Sequence, residues 1–269
     1  MFTHSAILLS GAGAPDDDAV SAPIGTFYDQ RGTTIRWVKY GLNDYNWTPY
    51  SCDPRDGYIY RDDLLSSGLA TSNSLGGGSG IFTGEANHPG VVTQQVTSTV
   101  TPDRNRIFFL GGGSPLTGIV AGTGKIYMEI LSKFPTLSDG VDDFSWRGPG
   151  MDVLVTGDAT AGIYFENDNQ VHGNNNWFGC TANGGIRTKT DLLVAPVAGV
   201  YQRLRWEDDA LNTSARFLIN DTFISANVAN MPATGFGACP QLIKTLGILV
   251  ARQAVLDHFY CAILLTTPR

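Results

Sequence analysis

The side chains in this chain most able to do chemistry are its carboxylates. Two of them flanking a sugar linkage, about 5 Å apart for retention or about 6.5 to 9.5 Å for inversion, would hydrolyse it. Near the ends of apolar runs stand Glu166, in Ile163-Tyr-Phe-Glu-Asn-Asp168, and Glu207 with Asp208 and Asp209. Glu166 would project from the face opposite Phe165, and all of these read as loop and rim carboxylates in water, so no catalytic residue is assigned. Asp16-Asp-Asp18, Asp142-Asp143 and Asp208-Asp209 lack the alternate-residue spacing of a calcium loop and read as solvated tips. His4, His88, His172 and His258 have no histidine at i+2 or i+4, which disfavours zinc, and His88 belongs with the turn at Pro89. Cys52, Cys180, Cys239 and Cys261 are too scattered for a CxxC site or a disulfide framework. They read as free thiols of a protein folded in a reducing cytoplasm, with Cys261 as a small core residue and a single disulfide as the open alternative. No metal and no cofactor is expected.

Carbohydrate recognition needs an aromatic ring for the C-H face of a sugar and fixed planar amides for its hydroxyls. The stretch Asn167-Asp-Asn-Gln-Val-His-Gly-Asn-Asn-Asn-Trp177 offers both, with Trp177, Asn174, Asn175 and Asn176 as candidates beside Tyr164 and Trp146. The competing reading makes Trp177 the start of a strand and part of the core, with the Asn run satisfying turn geometry.

Those residues must be positioned by strands. The hairpin Ala215 to Ser225 turns at Asn220-Asp221, two residues that tolerate positive φ in a two-residue turn. Pairing outward from the tip sets Ile219 opposite Thr222, Leu218 opposite Phe223 and Phe217 opposite Ile224, which predicts at least partial cover on both faces. Further strands are expected at 91–98, 106–110, 125–133, 151–156, 162–166, 177–181, 186–193, 201–207, 243–251 and 257–265, with no convincing helix. Many short strands argue for a two-sheet sandwich or jelly roll. Three regions follow: 1–63, a small turn-rich β module with paired strands around Gln30-Arg-Gly32; 64–80, a Ser/Gly-rich linker ending in Leu75-Gly-Gly-Gly-Ser-Gly80; and 81–269, the sandwich.

Composition sets limits on partners. The 269 residues include 42% hydrophobic and 16% charged side chains with 32 Gly and 13 Pro, which suits a turn-rich β protein with a sizeable core. A net charge of -7 with no basic cluster argues against nucleic acid, and Arg187 with Lys189 reads as a solvated strand face. The apolar run near Met1 has no basic flank and is too short for a signal core, and no window approaches the ~18 apolar residues of a membrane span, so a soluble protein is expected.

The order of Tyr201-Gln-Arg-Leu-Arg-Trp206, the Phe217 to Ile224 hairpin, the connection from Asn230-Met-Pro232 to Pro240, and Leu256-Asp-His-Phe-Tyr260 resembles the concanavalin A-like lectin/glucanase sandwich. The E-x-D-x-x-E triplet of its laminarinase-type enzymes is not present. Gly84-Glu-Ala-Asn-His-Pro-Gly-Val-Val92 resembles the E-N-H-P-G-[IV]-V segment of lectin-like domains in tailed-bacteriophage structural proteins, with Ala86 inserted. Gly11-Ala-Gly-Ala-Pro-Asp16, Ile24-Gly-Thr-Phe-Tyr-Asp29 and Trp37-Val-Lys39 resemble a module of phage fibres and appendages. The resemblance implies a non-enzymatic virion protein, a capsid decoration, head-fibre or tail-appendage subunit held by its N-terminal module, with a carbohydrate-binding receptor-recognition protein of the tail as the alternative and a glycoside hydrolase behind it. It further implies a homo-oligomer, a trimer by analogy with fibres, contacting other virion proteins and host surface polysaccharide.

Overall fold

The computed structural model describes residues 8–44, 46–64, 71–97, 103–109, 118–152, 158–247 and 250–267. Contacts divide the chain into two compact units, Met1–Tyr60 with Ala262–Arg269, and Arg61–Cys261.

In the first unit, β1 (Leu8–Gly11), β2 (Phe27–Gln30), β3 (Arg36–Lys39) and β4 (Trp47–Ser51) form a sheet in that order, with β1 parallel to β2 and the rest antiparallel. Its small core is Tyr28, Ile35, Trp37 and Trp47. The Gly-x-Gly segment has a steric cause: the Tyr28 ring lies against Gly11 where a side chain would clash, and its hydroxyl donates to the Gly13 carbonyl at 3.0 Å. Trp37 donates to Gln30, and Lys39 lies buried over the Trp47 ring with its ammonium donating to the Asn43 carbonyl. Asp16, expected in solvent, is buried here, while Asp17 and Asp18 are exposed. β5 (Gly57–Asp62) completes the N-terminal strands.

The second unit is built from β6 (Thr71–Leu75), β7 (Ser79–Glu85), β8 (His88–Val96), β9 (Arg104–Phe108), β10 (Gly124–Lys133), β11 (Phe144–Gly148), β12 (Gly162–Asp168), the single-turn helix α1 (Asn169–His172), β13 (Phe178–Asn183), β14 (Ile186–Asp191), β15 (Gln202–Asp208), β16 (Ala215–Ile219), β17 (Thr222–Asn227), β18 (Gln241–Lys244) and β19 (Arg252–Leu265), whose last residues belong to the first unit. One sheet runs β17-β16-β15-β10-β19-β8-β7, with β5 also beside β19; the other runs β14-β13-β12-β11-β18-β9-β6. Neighbours far apart in sequence make this the all-β jelly-roll sandwich expected from the strand pattern.

Aromatic side chains fill the space between the sheets. Trp146 and Trp177 meet edge to face at 5.5 Å, Phe134 packs on both, and Phe165 meets Phe217 at 5.3 Å. Each such ring removes roughly 150–250 Å² from water, about 4–6 kcal/mol before chain entropy is counted. Gly179 is required by this packing, because the Phe217 ring occupies the place of its missing side chain.

Several expectations change. The Ser/Gly-rich stretch is not all linker: within 64–80, β6 pairs with β9 and β7 begins its pairing with β8. At the hairpin tip Asn220 and Asp221 take φ of 50° and 64°, as the two-residue turn demands, and Leu218 and Ile219 pair as predicted. A bulge then sets Phe217 against Ser225 instead of Ile224, and on edge strand β17 Phe223 remains 47% exposed opposite the buried Leu218, so the outer face of the ribbon is covered in part. Of the strand expected over 243–251, the described residues show Gln241–Lys244, with 248 and 249 outside them, and the one expected over 151–156 falls largely outside the described residues. His88 does more than complete a turn. Its Nδ1 lies 2.6 Å from Asp257, its ring packs on Tyr201, and the neighbouring Glu85 accepts from Lys133 and Tyr201, so the Glu-Ala-Asn-His segment clasps one sheet.

Candidate functional site

The aromatic platform proposed from the sequence does not assemble. Trp177, Trp146 and Tyr164 are buried, and Trp177 donates its ring N-H to Gln202 inside the sandwich. The amides of the Asn run are spent holding the loop. Asn175 donates to the Ser138 carbonyl, Asn176 and Asn174 donate to Asp191, and Asn174 accepts from the Asn176 backbone. The loop is a scaffold that delivers Trp177 to the core.

Glu166 is not a rim carboxylate. Strand alternation on β12 sends Ile163 and Phe165 inward and Tyr164, Glu166 and Asp168 to the opposite face, where Met151, Ala159, Phe178, Cys180 and Ala182 form a second apolar cluster with Tyr164. Register places one row across that sheet: Asp191, Phe178, Glu166, Arg147, Gln241 and Arg106. Glu166 is fully enclosed and meets Arg147 at 2.9 Å, His172 at 2.7 Å and Lys189 at 2.5 Å. Burial alone would raise its pKa; the His172 hydrogen bond and the charges of Arg147 and Lys189 outweigh it and bring the pKa down to about 2. Arg147 and Arg187 also pair with Asp158, so Arg187 and Lys189 are not a solvated face. Asp168 caps α1 by accepting from the Val171 N-H. A carboxylate held as an anion by the Arg147 and Lys189 charges and the His172 hydrogen bond is a poor proton donor, and its same-strand neighbour is engaged in a cap. The cluster locks the sheet face.

The arrangement suited to a ligand lies on the outward face of the other sheet, at the Leu218-Phe223 pair of the hairpin. Arg216 stacks on the exposed Phe223 ring at 5.1 Å and reaches Glu207 at 3.3 Å. Glu207, itself buried, also accepts Arg205 at 2.9 Å, and Arg205 lies over the Tyr127 ring. At the hairpin tip Arg203 bridges Asp221 at 2.8 Å and Glu129 at 3.4 Å. An open ring is thereby stacked against the half-exposed Arg216 guanidinium, which the enclosed Glu207-Arg205 pair holds in place, and a ring beside a fixed polar group is what a sugar face and its hydroxyls require. The sequence signal was available: β17 is the end of the Tyr201 to Asn227 run, and an edge strand has one side without a neighbour. In the first unit a groove of about 570 Å³ is lined by Asp29, Arg31, Thr34, Arg36, Ser51 and Asp53, with both charge signs and no aromatic floor. Among the described residues no group of three His, Cys, Asp or Glu side chains is poised to hold a metal, and no helix is long and apolar enough to cross a membrane.

No protein-family model matches the chain, and no curated protein matches it by sequence. Among solved structures it is similar to a protein of unknown function from Shewanella oneidensis MR-1, at 12% identity and a TM-score of 0.56 over 80% of this chain and 89% of that one. It is also similar to the carbohydrate recognition domain of Emp47p, at 12% identity and a TM-score of 0.51 over 80% of this chain and 99% of that domain. At such identity the likeness concerns the fold: the chain is a lectin-like, concanavalin A-type jelly-roll sandwich with a small turn-rich β unit at its N-terminus.

Proposed function

We propose that this chain is a non-enzymatic carbohydrate-binding protein whose outward sheet face around Phe223 engages a polysaccharide. The observation that carries the reading is the exposed Phe223 ring stacked on Arg216 and flanked by the Arg205, Glu207 and Arg203 pairs, in a fold shared with a carbohydrate recognition domain. The locked state of Glu166 and the double pairing of Glu207 support binding without hydrolysis. A glycan array of the full chain against Phe223→Ala tests it: binding by the parent and its loss in a variant with unchanged circular dichroism is the expected result. Equal binding, or none by either protein, overturns it.

The setting we propose is a tailed-phage virion, in which the chain is a decoration, head-fibre or tail-appendage subunit attached through its N-terminal unit. Support comes from the phage-like segments, whose residues build real structure: Tyr28, Trp37 and Lys39 are buried in the first unit, with Gly11 and Gly13 making room for and accepting from Tyr28, and Glu85 and His88 make the clasp on the second. The same reading expects a homotrimer in light scattering and density for this chain at a defined head or tail position of the particle. A monomer absent from every such position contradicts it.

A further inference from the structure

Strand β9 carries two arginines, Arg104 and Arg106, on the sheet face that also holds Arg147 and Glu166. Alternation sends Asn105, between them, to the opposite face, where its amide donates to Ser72 and Ser74. Register sets Gln241 on one side of Arg106 and Asn73 of edge strand β6 on the other.

Arg147 and Arg106 share one row across this sheet, but only one of them is paired. Arg147 meets Glu166 at 2.9 Å and Asp158 at 3.0 Å. Arg106 is 5% exposed, and its Nε and Nη2 are enclosed without a hydrogen-bond partner. Arg104 Nε is enclosed and bare as well, and among the described residues no carboxylate pairs with either side chain. Asp103, next along the chain, is committed elsewhere, accepting from the Gly77 and Thr97 N-H groups. The nearby Cys239 thiol, pushed up to about 12 by burial, is neutral and supplies no counter-charge. Burial, reinforced by the like charge of Arg104, brings the Arg106 pKa down to about 10, so the side chain stays a cation at neutral pH.

A buried charge without a partner is costly, and a bound anion offsets that cost. Alternate positions on a strand lie about 7 Å apart, close enough for two guanidinium forks to close on one group. Two positive charges with no counter-charge call for two negative charges at one centre. A phosphate or sulfate group carries them and presents several oxygens to planar forks, whereas a single carboxylate carries one. Arg104 is partly open to solvent and Asn73 is exposed on the edge strand, which gives an ion its approach.

We infer that Arg104 and Arg106 bind a tetrahedral oxyanion, a phosphate or sulfate group, with Asn73 at the border of the site. The site belongs to the sheet opposite Phe223 and is independent of the glycan face. A free ion and a sulfate ester on a polysaccharide offer the same group, and the test separates them. The full chain is melted at neutral pH in sodium phosphate or sodium sulfate against sodium chloride at equal ionic strength. Dextran sulfate, with unsulfated dextran as control, is titrated by calorimetry.

A saturable rise in Tm with phosphate or sulfate is expected, distinct from the linear rise that excluded salts give any protein. Arg106→Met keeps the length of the side chain and removes its charge. It should melt no lower than the parent in chloride, as loss of an unpaired buried charge predicts, and lose the anion response. Arg104→Gln, at a partly open position, should weaken the anion roughly 10- to 100-fold and is the deciding variant if Arg106→Met does not fold. Dextran sulfate binding that these variants lose assigns the group to a polysaccharide, and a response to the inorganic ions alone assigns it to a free ion. No saturable response by the parent to phosphate, sulfate or dextran sulfate, or an unchanged response in the variants, overturns the inference.

Discussion

Replacing Glu166 by Gln keeps the volume of a fully enclosed side chain and removes the anion that Arg147, His172 and Lys189 share. Two routes give the size of the loss. A carboxyl whose pKa falls from 4.5 to about 2 on folding gives up its proton more readily in the native state, so its contribution is full above about pH 4.5 and is lost as pH falls toward 2. At about 1.4 kcal/mol per factor of ten, that gap corresponds to ~3 kcal/mol. Independently, removing one partner of a buried ion pair costs roughly 3–5 kcal/mol because the other charge is stranded. The lower end applies here, since Arg147 keeps Asp158 at 3.0 Å and Lys189 is 19% exposed and can take up water. The predicted loss is therefore ~3 kcal/mol, a fall in Tm of roughly 6–12 °C for a domain of this size. Urea unfolding of parent and variant from neutral pH to about pH 3 reads it. The gap should narrow toward acid, to roughly half at pH 3. A variant within ~0.5 kcal/mol of the parent at neutral pH, or a gap independent of pH, would refute the description of Glu166 as a locked anion.

Other consequences can be checked separately. Trp177→Ala should cost about 3–5 kcal/mol by emptying a site among Phe134, Trp146 and Phe165, yet leave glycan binding per folded molecule unchanged, which titration of the folded fraction would show. Asn220→Ala should destabilise by about 1–2 kcal/mol, because φ of 50° is costly for alanine, whereas Asn220→Gly should be near neutral in the same melt. Burial pushes the Cys239 and Cys261 thiols up to about 12 and Cys180 well above its ordinary value, so a thiol reagent should reach only Cys52 in the native protein and all four after denaturation.

The hairpin shows what sequence can and cannot convey here. Asn220-Asp221 sets turn type and register because both are local, and alternation correctly separates Phe165 from Glu166. The bulge beside Phe217 and the packing of its ring on Gly179 of the opposing sheet are recorded by no local pattern. Burial of Glu166 and Asp208 was hidden for the same reason. An acidic residue at a strand end reads as solvated until the crossing order of strands puts Arg147 and Lys189 beside one and nothing cationic beside the other. Trp177 and Trp146 carry the reverse lesson: their types suit a sugar platform, but alternation and the aromatic neighbours across the sandwich draw them inward. Phe223 shows how far partial cover goes: its cross-strand partner Leu218 is buried, while its place on edge strand β17 leaves the ring 47% exposed.

The central claim is that glycan recognition resides on the Phe223 face and proceeds without cleavage. Its most direct test is calorimetric titration of a polysaccharide selected on the array into the parent and into Phe223→Ala, with reducing ends counted in the recovered ligand. Binding by the parent, its loss in the folded variant and no new reducing ends are the predicted result. Undiminished binding by Phe223→Ala, or reducing ends that grow with time, would contradict the account.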